Sequence, residues 1–376
     1  MSRLRVLHCI YDDPANPWVG GGGSRRAFDL YRHLRDDVDA TILTGNYPGA
    51  SSEPVDGIQV IRAGAAQPYA WSRVTYAAAA SRMLRSLDYD VAVVDHSAYT
   101  PIVIPRDRAV GTIVHHLTGP VARERWGAAS GAALGWMERR LVARSRVFSA
   151  TSAASKSALE QFIEEDATIM RVSSGVSDHL FDLRRHDDGF VLYIGRLDVK
   201  QKGIDVLLDA FAIVARRAPA ATLRIAGRGP DDAWLRARVE SLGIGSAVRF
   251  LGGVSDAVRD DLLAGAAFQV VPSRFEGFGI AAAEALAAGV PLIVSDDPAL
   301  VEIVQDCGRV VARDDARALA EAMLALLGDD EGRRRLSVAG RASAERFRWN
   351  AVARAHLEFL LRVRSAHDVS VGLRSS

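Results

Sequence analysis

Cysteine and long apolar runs are scarce in this chain of 376 residues. Its two cysteines, Cys9 and Cys307, lie far apart in the sequence, which excludes a disulfide framework or a cysteine-based metal knuckle. The longest apolar stretch, Gly279–Val294, is interrupted by Glu284 and by a Gly-Val-Pro segment, so no membrane span is predicted. The apolar run near the start is too short for a signal-peptide core. These absences favour a cytoplasmic protein and leave open a peripheral contact with the inner membrane face.

An excess of charge of one sign is also missing. The 47 basic and 46 acidic side chains give a formal net charge of +1, which argues against a nucleic-acid binder that works through a basic field. Only three of the basic residues are lysines, Lys156, Lys200 and Lys202, and two of them fall in one short loop. Adjacent aspartates such as Asp296-Asp297 lie mostly at predicted helix ends, where carboxylates are favourable or solvated. No His or Cys spacing is typical of zinc, so we expect neither a metal site nor an obligatory cofactor.

Short β-branched or apolar runs alternate with longer stretches of helical periodicity along most of the chain. This pattern is typical of parallel sheets with crossover helices and predicts an α/β fold. The strands are predicted at Leu4–Ile10, Ala40–Thr44, Ile58–Arg62, Asp90–Val94, Ala109–His115, Val147–Ala150, Phe190–Ile194, Ala221–Ala226, Val248–Leu251, Phe268–Val271, Pro291–Val294 and Arg309–Val311. The helices are predicted at Ser24–Leu34, Arg73–Leu87, Gly203–Arg217, Asp231–Leu242, Ser255–Leu263, Ile280–Ala288, Ala316–Leu327 and Arg335–Arg364.

The alternation restarts after a polar segment, Ser173–Gly189, which contains Ser-Ser-Gly and Asp-Asp-Gly and is the best candidate for a linker. The chain length suits two α/β domains of similar size. We therefore predict an N-terminal Rossmann-like domain at 1–175 and a C-terminal one at 176–348. Residues 349–376 are expected to form a last helix followed by a frayed tail. Doubly wound sheets bind ligands at the carboxyl ends of their strands.

The strongest local motif runs from Arg274 to Glu284, after a predicted strand and into an alanine-rich helix. Gly277 and Gly279 allow a ligand to approach the backbone, and the first-turn amides of the helix have no intrahelical partner. Such a helix start suits a diphosphate. Glu276 precedes the helix and Glu284 lies eight residues later within it, a span of roughly 12 Å at helical rise. This is about the separation between the sugar and the ribose of an extended nucleotide sugar, so one carboxylate can accept hydrogen bonds from sugar hydroxyls and the other from ribose hydroxyls. The alternative is that both are ordinary helix glutamates.

A second motif, Gly195–Gly203, directly follows the predicted strand Phe190–Ile194. Arg196 and Lys202 beside glycines at a strand end can place two cations over a phosphate pair. Lys200 is an alternative to Lys202 in this role. A solvated surface turn is the simpler interpretation when the segment is considered alone.

The first half of the chain has weaker signals. Gly20–Gly23 precede a predicted helix and are typical of a loop that a phosphate or sugar approaches, but they lack the Lys-Ser/Thr of a P-loop and a dinucleotide fingerprint. His115 closes a predicted strand, where it can bind a substrate hydroxyl or stabilise charge. His96, at another strand end, is a competing candidate. Arg123–Arg146 is either an interfacial helix or an amphipathic surface helix.

Taken together, these segments resemble the family-4 retaining glycosyltransferases of group 1, which have the GT-B fold. The Glu-x7-Glu signature of that family corresponds to Glu276 and Glu284, and its basic Gly-Arg-Leu and Lys-Gly loop corresponds to Gly195–Gly203. Its N-terminal Gly-Gly corresponds best to Gly21 and Gly22, and its active-site histidine corresponds to His115.

The resemblance implies an acceptor-binding N-terminal and a nucleotide-sugar-binding C-terminal Rossmann-like domain that face an interdomain cleft, with a last helix at 349–376 that crosses back to the N-terminal domain. The enzyme would be a metal-independent, retaining hexosyltransferase. The donor would be a nucleotide-diphosphate sugar of the UDP-glucose or GDP-mannose type. The acceptor would be a hydroxyl of a glycan, a lipid-linked or a small molecule. It assigns catalysis to His115, Glu276, Arg196 and Lys202. The donor-binding residues it implies are Gly21, Gly22, Arg196, Lys202, Gly277, Phe278, Gly279, Ile280 and Glu284.

Two other functions fit the same pattern less well. A nucleotide-sugar 2-epimerase would share the architecture, but the combination of the basic loop with Glu-x7-Glu favours transfer. A non-catalytic sugar-binding protein would clamp its ligand between two domains without chemistry. The two convergent basic elements count against that reading.

Overall fold

The structure is a computed structural model that describes residues 3–18, 22–97, 101, 103–117, 127–142, 145–163 and 167–375. The chain divides into two compact units. One unit contains residues 1–175 and 349–376, and the other contains residues 176–348.

Both units contain parallel strands that alternate with helices. The strands of the first unit are β1 (Leu4–Cys9), β2 (Val38–Gly45), β3 (Gln59–Ala63), β4 (Val91–Asp95), β5 (Val110–Val114), β6 (Val147–Ala150) and β7 (Thr168–Arg171). Its helices are α1 (Gly22–His33), α2 (Tyr69–Ser86), α3 (Ala128–Val142), α4 (Ala153–Glu160) and, from the end of the chain, α13 (Trp349–Ser375).

The second unit contains the strands β8 (Phe190–Ile194), β9 (Leu223–Ala226), β10 (Val248–Gly252), β11 (Ala266–Val271), β12 (Leu292–Ser295) and β13 (Arg309–Val311). Its helices are α5 (Val199–Lys202), α6 (Ile204–Arg217), α7 (Asp232–Ser241), α8 (Asp256–Gly265), α9 (Ile280–Ala287), α10 (Pro298–Val304), α11 (Ala316–Leu327) and α12 (Asp330–Ala344). Two 3-10 turns lie at Asp178–Leu180 and Glu345–Phe347.

The strand orders place a switch point in each sheet. The first sheet runs β3-β2-β1-β4-β5-β6-β7 and the second runs β10-β9-β8-β11-β12-β13. The sequential order therefore reverses between β1 and β4 in the first sheet and between β8 and β11 in the second. Ligands of open α/β sheets bind beyond the carboxyl ends of the strands at such a point. The α/β class and the doubly wound parallel sheets confirm the predicted fold class.

Apolar residues cover both faces of the first sheet. On one face, α1 and α13 pack over the sheet, with Phe28, Tyr31 and Phe359 buried between them. On the other face, α2 places Tyr76, Ala80 and Leu84 against β2 and its neighbours. Strands buried on both faces are near-continuous in apolar residues, which is why they were readable in the sequence.

The second sheet is enclosed in the same way. One face is covered by the alanine-rich α9 together with α10, and the other by α6 and α11. Along α6, Leu207, Leu208, Phe211 and Val214 recur at the spacing of one helix face, and all are fully buried. Burying such a side chain stabilises the fold by about 1.5–3 kcal/mol.

Several elements differ from the sequence-based prediction. The strand β7 was missed because it is a four-residue edge strand without a fully buried residue. The helix α10 was also missed, although Asp297 caps it through the amides of Ala299 and Leu300 and Pro298 opens it.

The frayed tail predicted after Ser365 is wrong, because α13 continues to Ser375. These last residues contain no proline, so nothing in the sequence terminates the helix there. The predicted helix Arg335–Arg364 is in fact two helices, α12 and α13, separated by the 3-10 turn. Within the described residues, no helix combines the length and apolar character needed to cross a membrane.

Candidate functional site

The loops that follow β8 and β11 meet at the switch point of the second sheet. The first loop, 195–203, carries Arg196, Lys200 and Lys202, and the second, 272–279, carries Glu276. The backbone amides of Arg274 and Phe275 both donate to the carbonyl of Gln201, at 2.9 and 3.3 Å. The two strongest motifs of the sequence are therefore joined by backbone hydrogen bonds into one candidate site.

The basic loop contains a single helical turn, α5. The carboxylate of Asp198 caps this turn by accepting from the amide of Gln201 at 3.1 Å. Gly203 ends it in the left-handed conformation, with φ 61°. A Cβ at Gly203 would lie 2.1 Å from the carbonyl oxygen of Pro272, so the close approach of the two loops requires glycine here.

Lys202 and Glu276 form the centre of the site. The Nζ atom of Lys202 lies 2.6 Å from Oε1 of Glu276, and the Ser273 hydroxyl donates to the same oxygen at 2.9 Å. Both charged side chains are largely shielded from solvent, at 17% and 13% exposure. The pair therefore presents a cation and a carboxylate side by side, each with capacity for a ligand.

Arg274 ties the second loop to the first. Its guanidinium donates to both carboxylate oxygens of Asp205, at 2.9 and 2.8 Å, and to Asp314 at 2.7 Å. It also donates to the carbonyl of Val199 in α5 at 2.5 Å. These contacts give Arg274 a structural role, because its donors are used inside the protein.

The start of α9 provides the amides that the sequence predicted. Gly279 precedes the helix with φ 93°, and a Cβ there would lie 2.7 Å from Cδ2 of Leu300. The ring of Phe278 packs edge-on against Phe347 at 5.4 Å, so a ligand at this loop would meet backbone rather than that ring. Ile280 opens the helix and is 36% exposed. Gly277 lies beside Glu276 in the same loop.

Asp297 supports this loop from the next strand. Its carboxylate accepts from the amide of Glu276 at 3.3 Å, and burial raises its pKa, although the amides that it accepts from oppose this shift. The backbone at Glu276 is therefore held by a residue of the adjacent strand end.

Glu284 lies on α9, one turn after its start. Its carboxylate oxygen is 3.5 Å from the guanidinium of Arg259 on α8, and its side chain is 21% exposed. Only Gly277–Gly279 separate Glu276 from the first helical residue, so half of the eight-residue spacing is loop rather than helix. Glu284 is therefore an accessible carboxylate with a cationic neighbour.

Arg196 and Lys200 differ from Lys202 in their surroundings. Both are exposed, and within the described part of the chain no hydrogen bond or ion pair joins either side chain to a neighbour. Arg196 is positioned through its backbone, because its carbonyl accepts from the Tyr193 hydroxyl at 2.9 Å. Its guanidinium therefore remains available for a ligand.

In the first unit, His115 follows β5 directly, and its ring is 23% exposed. Its Nε2 atom lies 3.8 Å from the position of a Cβ at Gly23. The start of α1 and the end of β5 are thus neighbours. Gly22 opens α1, whereas Gly21 lies outside the described residues.

A buried polar cluster around His115 was not predicted. Asp95, at the end of β4, lies 3.3 Å from Nε2 of His115 and 3.3 Å from Nε2 of His8 on β1. Nδ1 of His8 is 3.0 Å from the hydroxyl of Tyr31. Burial raises the pKa of Asp95, but His115 and His8 lower it more, so its pKa lies well below its usual range. The signal was an aspartate directly after four apolar strand residues.

His96, the competing candidate, is turned into the interior. Its ring is 1% exposed, and its Nε2 atom lies 3.1 Å from the carboxylate of Glu138 on α3. An imidazole in this position does not face a ligand from solvent. Among the two strand-end histidines, only His115 is accessible.

Both halves of the chain match glycosyltransferase families. Residues 178–343 match the family described as Glycosyl transferases group 1, and residues 21–175 match the Glycosyl transferase 4-like domain. This chain belongs to the group 1 glycosyltransferases.

Curated members of the family resemble parts of the chain. It is 37% identical over 166 residues to a phosphatidyl-myo-inositol mannosyltransferase of Mycobacterium leprae (strain TN), covering 43% of this chain and 44% of that protein. It is also 37% identical over 172 residues to a GDP-mannose-dependent alpha-(1-6)-phosphatidylinositol dimannoside mannosyltransferase of Mycobacterium tuberculosis (strain ATCC 25177 / H37Ra), covering 45% and 43%. The matches thus span about half the length of the curated relatives.

Solved structures share the fold of this chain. A sucrose-phosphate synthase from Thermosynechococcus elongatus superposes with a TM-score of 0.81 at 20% identity, covering 97% of this chain and 100% of that one. At this identity the likeness shows the GT-B fold and no specificity.

Proposed function

We propose that this chain is a retaining hexosyltransferase that moves a sugar from a nucleotide diphosphate to an acceptor hydroxyl. The observation that carries this proposal is the Lys202–Glu276 pair at the switch point of the second sheet, with Arg196 exposed on the same loop. A cation pair for phosphates and a carboxylate for sugar hydroxyls are what such a donor requires.

In the proposed reaction, charge builds on the departing diphosphate as the bond to the anomeric carbon breaks. Arg196, Lys202 and the backbone amides at the start of α9 stabilise that charge, and their fixed positions make this a preorganised electrostatic effect. The departing phosphate oxygen accepts the proton of the acceptor hydroxyl. Attack on the face from which the diphosphate leaves retains the anomeric configuration.

Three further groups bind the donor in this proposal. Glu276 accepts hydrogen bonds from sugar hydroxyls, while Lys202 and Ser273 hold its carboxylate in place. Glu284 accepts from the ribose hydroxyls. His115 contacts the reacting sugar and supports its cation-like transition state.

The donor is proposed to be of the GDP-mannose or UDP-glucose type. One relative is named as a GDP-mannose-dependent mannosyltransferase, which supports a donor of the GDP-mannose type. The acceptor is a hydroxyl of a glycan, a lipid-linked or a small molecule, which leaves a peripheral membrane contact open. Transfer is proposed to need no metal, since Arg196 and Lys202 supply positive charge at the diphosphate.

A donor panel tests this function. The full chain is incubated with GDP-mannose, UDP-glucose and UDP-N-acetylglucosamine, with and without EDTA, and release of GDP or UDP is measured alongside thermal shift. We expect slow nucleotide release from one donor, unchanged by EDTA, and a stabilising shift with the matching nucleotide. With an acceptor found, NMR should show the anomeric configuration of the donor in the product. Absence of both release and shift with every donor would contradict the proposal.

A further inference from the structure

The ring of His115 is held from one side by a buried carboxylate. Asp95 is 6% exposed and lies between two imidazoles, 3.3 Å from Nε2 of His115 and 3.3 Å from Nε2 of His8. The strand order explains this arrangement, because β4 lies between β1 and β5 and the three side chains come from these three strands. Asp95 is the terminal residue of β4, at the edge where His115 emerges.

The main chain of His115 is held independently of its ring. Its carbonyl accepts from the hydroxyl of Ser155 at 2.8 Å and from that of Thr151 at 3.2 Å. With the backbone anchored, the direction of the imidazole depends on its side-chain torsions, and Asp95 is the charged group at its Nε2 edge. The Gly23 position at 3.8 Å leaves little room for the ring to turn toward α1.

The second imidazole fixes Asp95 in turn. His8 is fully buried, and its Nδ1 atom lies 3.0 Å from the Tyr31 hydroxyl. If the hydroxyl donates to Nδ1, then Nε2 carries the proton and points at Asp95, since a neutral imidazole has one donor and one acceptor nitrogen. In the series Tyr31, His8 and Asp95, each donor then faces an acceptor.

We infer that Asp95 is a positioning residue that holds the His115 ring with its protonated Nε2 toward the sheet and its Nδ1 lone pair toward the reacting sugar. This inference rests on the proposed function, because it takes from it the contact of His115 with the donor sugar. The hydrogen bond made by one ring nitrogen decides which tautomer the other presents. At 3.3 Å, these two contacts of Asp95 are longer than an ordinary hydrogen bond, and catalytic contacts of this kind often tighten in the reacting complex.

The chain contains a matched control for this arrangement. His96 and Glu138 form a second buried histidine–carboxylate pair in the same unit, at 3.1 Å. If the buried pairs serve only to stabilise the unit, then Asp95→Asn and Glu138→Gln should behave alike. A positioning role predicts that only Asp95→Asn affects the reaction.

The test measures kcat and donor KM for the full chain and for four variants: Asp95→Asn, His115→Ala, the double variant and Glu138→Gln. We expect Asp95→Asn to lower kcat by about 10- to 100-fold, as for other residues that orient a functional histidine, with donor KM nearly unchanged. In the His115→Ala background, Asp95→Asn should change kcat by less than about 2-fold, because the residue through which it acts is gone. Glu138→Gln should retain the wild-type kcat.

The outcomes separate the inference from the function on which it rests. If His115→Ala keeps the wild-type kcat, the role of His115 in the proposed function is wrong, and the inference falls with it. If His115→Ala is impaired while Asp95→Asn is not, or if Asp95→Asn costs the same in both backgrounds, the inference alone is overturned.

A measurement on the unaltered protein covers the case in which Asp95→Asn does not fold. ¹⁵N chemical shifts of the histidine rings distinguish the two neutral tautomers, and His115→Ala identifies the signal of that residue. We expect the Nε2–H form for His115 in the wild-type protein. Finding the Nδ1–H form would overturn the inference without any Asp95 variant.

Discussion

Lys202 and Glu276 are 74 residues apart in the sequence and 2.6 Å apart in the structure. Their pairing joins one of the two candidate lysines of the basic loop to the second loop. Lys200 lies on the exposed side of the single turn α5, whereas Lys202 ends that turn and reaches the second loop. At this scale the site consists of a few charged atoms whose positions depend on the backbone beneath them.

Replacing Glu276 by Gln should lower kcat about 100- to 1,000-fold, the range found when one preorganised group is removed from a charged transition state. The glutamine side chain lacks the negative charge that strengthens hydrogen bonds from the sugar hydroxyls and from Lys202. Affinity for free GDP or UDP, measured by calorimetry, should be nearly unchanged because the nucleotide lacks the sugar. Glu321→Gln, an exposed glutamate paired with Arg217, should keep full activity. Wild-type turnover by Glu276→Gln would show the site assignment to be wrong.

The two lysines of the basic loop allow a direct comparison. Lys202→Ala should weaken GDP or UDP binding about 10-fold, because a hydrogen bond to a charged group contributes about 1.5–3 kcal/mol. Lys200→Ala should weaken it much less, since the side chain of Lys200 is exposed, whereas that of Lys202 is paired with Glu276. Titration calorimetry of both variants in the same buffer decides between them. A larger loss for Lys200→Ala would reverse the assignment.

At the scale of elements, the proposed donor site depends on how closely two strand-end loops approach. Gly203 closes α5 directly against Pro272, and backbone hydrogen bonds from Arg274 and Phe275 join the same loops. The left-handed glycine is therefore both a helix end and a packing contact. A helix end exposed to solvent would require the left-handed backbone conformation but not the close packing contact.

Gly203→Ala and Gly243→Ala separate these two requirements. Both glycines follow a helix with similar φ, 61° and 67°, but no atom lies within 4 Å of a Cβ at Gly243. Gly243→Ala should lower the free energy of unfolding by about 1–2 kcal/mol, the cost of a left-handed alanine. Gly203→Ala should cost a further 1–3 kcal/mol or so through overpacking against Pro272, and it should weaken nucleotide binding.

Urea unfolding and GDP titration of the two variants provide the check. Equal losses of unfolding free energy would mean that the loops relax without cost. Unchanged nucleotide affinity in Gly203→Ala would show that the donor site does not depend on this contact.

At the scale of the whole molecule, the end of the chain completes the core of the first unit. The helix α13 packs on β4, β5 and β6 and buries His356 beside Tyr31 and Phe359. Burial, together with the nearby charge of Arg26, holds the pKa of His356 well below its usual value. This buried imidazole links the stability of the unit to pH.

The direction of this pH dependence follows from the protonation of His356 in the folded and in the unfolded protein. As pH falls through about 6.5, His356 takes up a proton in the unfolded chain but not in the folded one, so acid favours unfolding. Between about pH 6.5 and 5.5 the wild-type protein should lose roughly 1 kcal/mol of unfolding free energy through this residue. His356→Leu should remove that loss, as measured by urea unfolding at both pH values.

His33→Gln is the control for this prediction. His33 is exposed in the same unit, so its replacement should leave the pH dependence of the wild type in place. If His356→Leu shows the same loss between the two pH values as the wild type, protonation of another group is responsible.

The sequence by itself determined the repeating α/β pattern and the positions of most strands. It did so because strands that are buried on both faces must be apolar along their length, whereas helices that cover them are apolar on one side. The motif Glu276–Glu284 and the loop Gly195–Gly203 were readable for a similar reason, since glycines and charges after an apolar strand interrupt the pattern. The short edge strand β7 lacked this contrast. The end of α13 was misplaced because the sequence after Ser365 contains no proline that would stop a helix.

Only the tertiary structure decided which side chains meet. Parallel strands are joined by crossover helices, so neighbours in a sheet are distant in sequence, and nothing local states that β4 lies between β1 and β5. The contact of Asp95 with His8 and His115 depends on that order alone. The pairing of Lys202 rather than Lys200 with Glu276 depends in the same way on the approach of two loops, because one turn of helix directs neighbouring side chains to different faces.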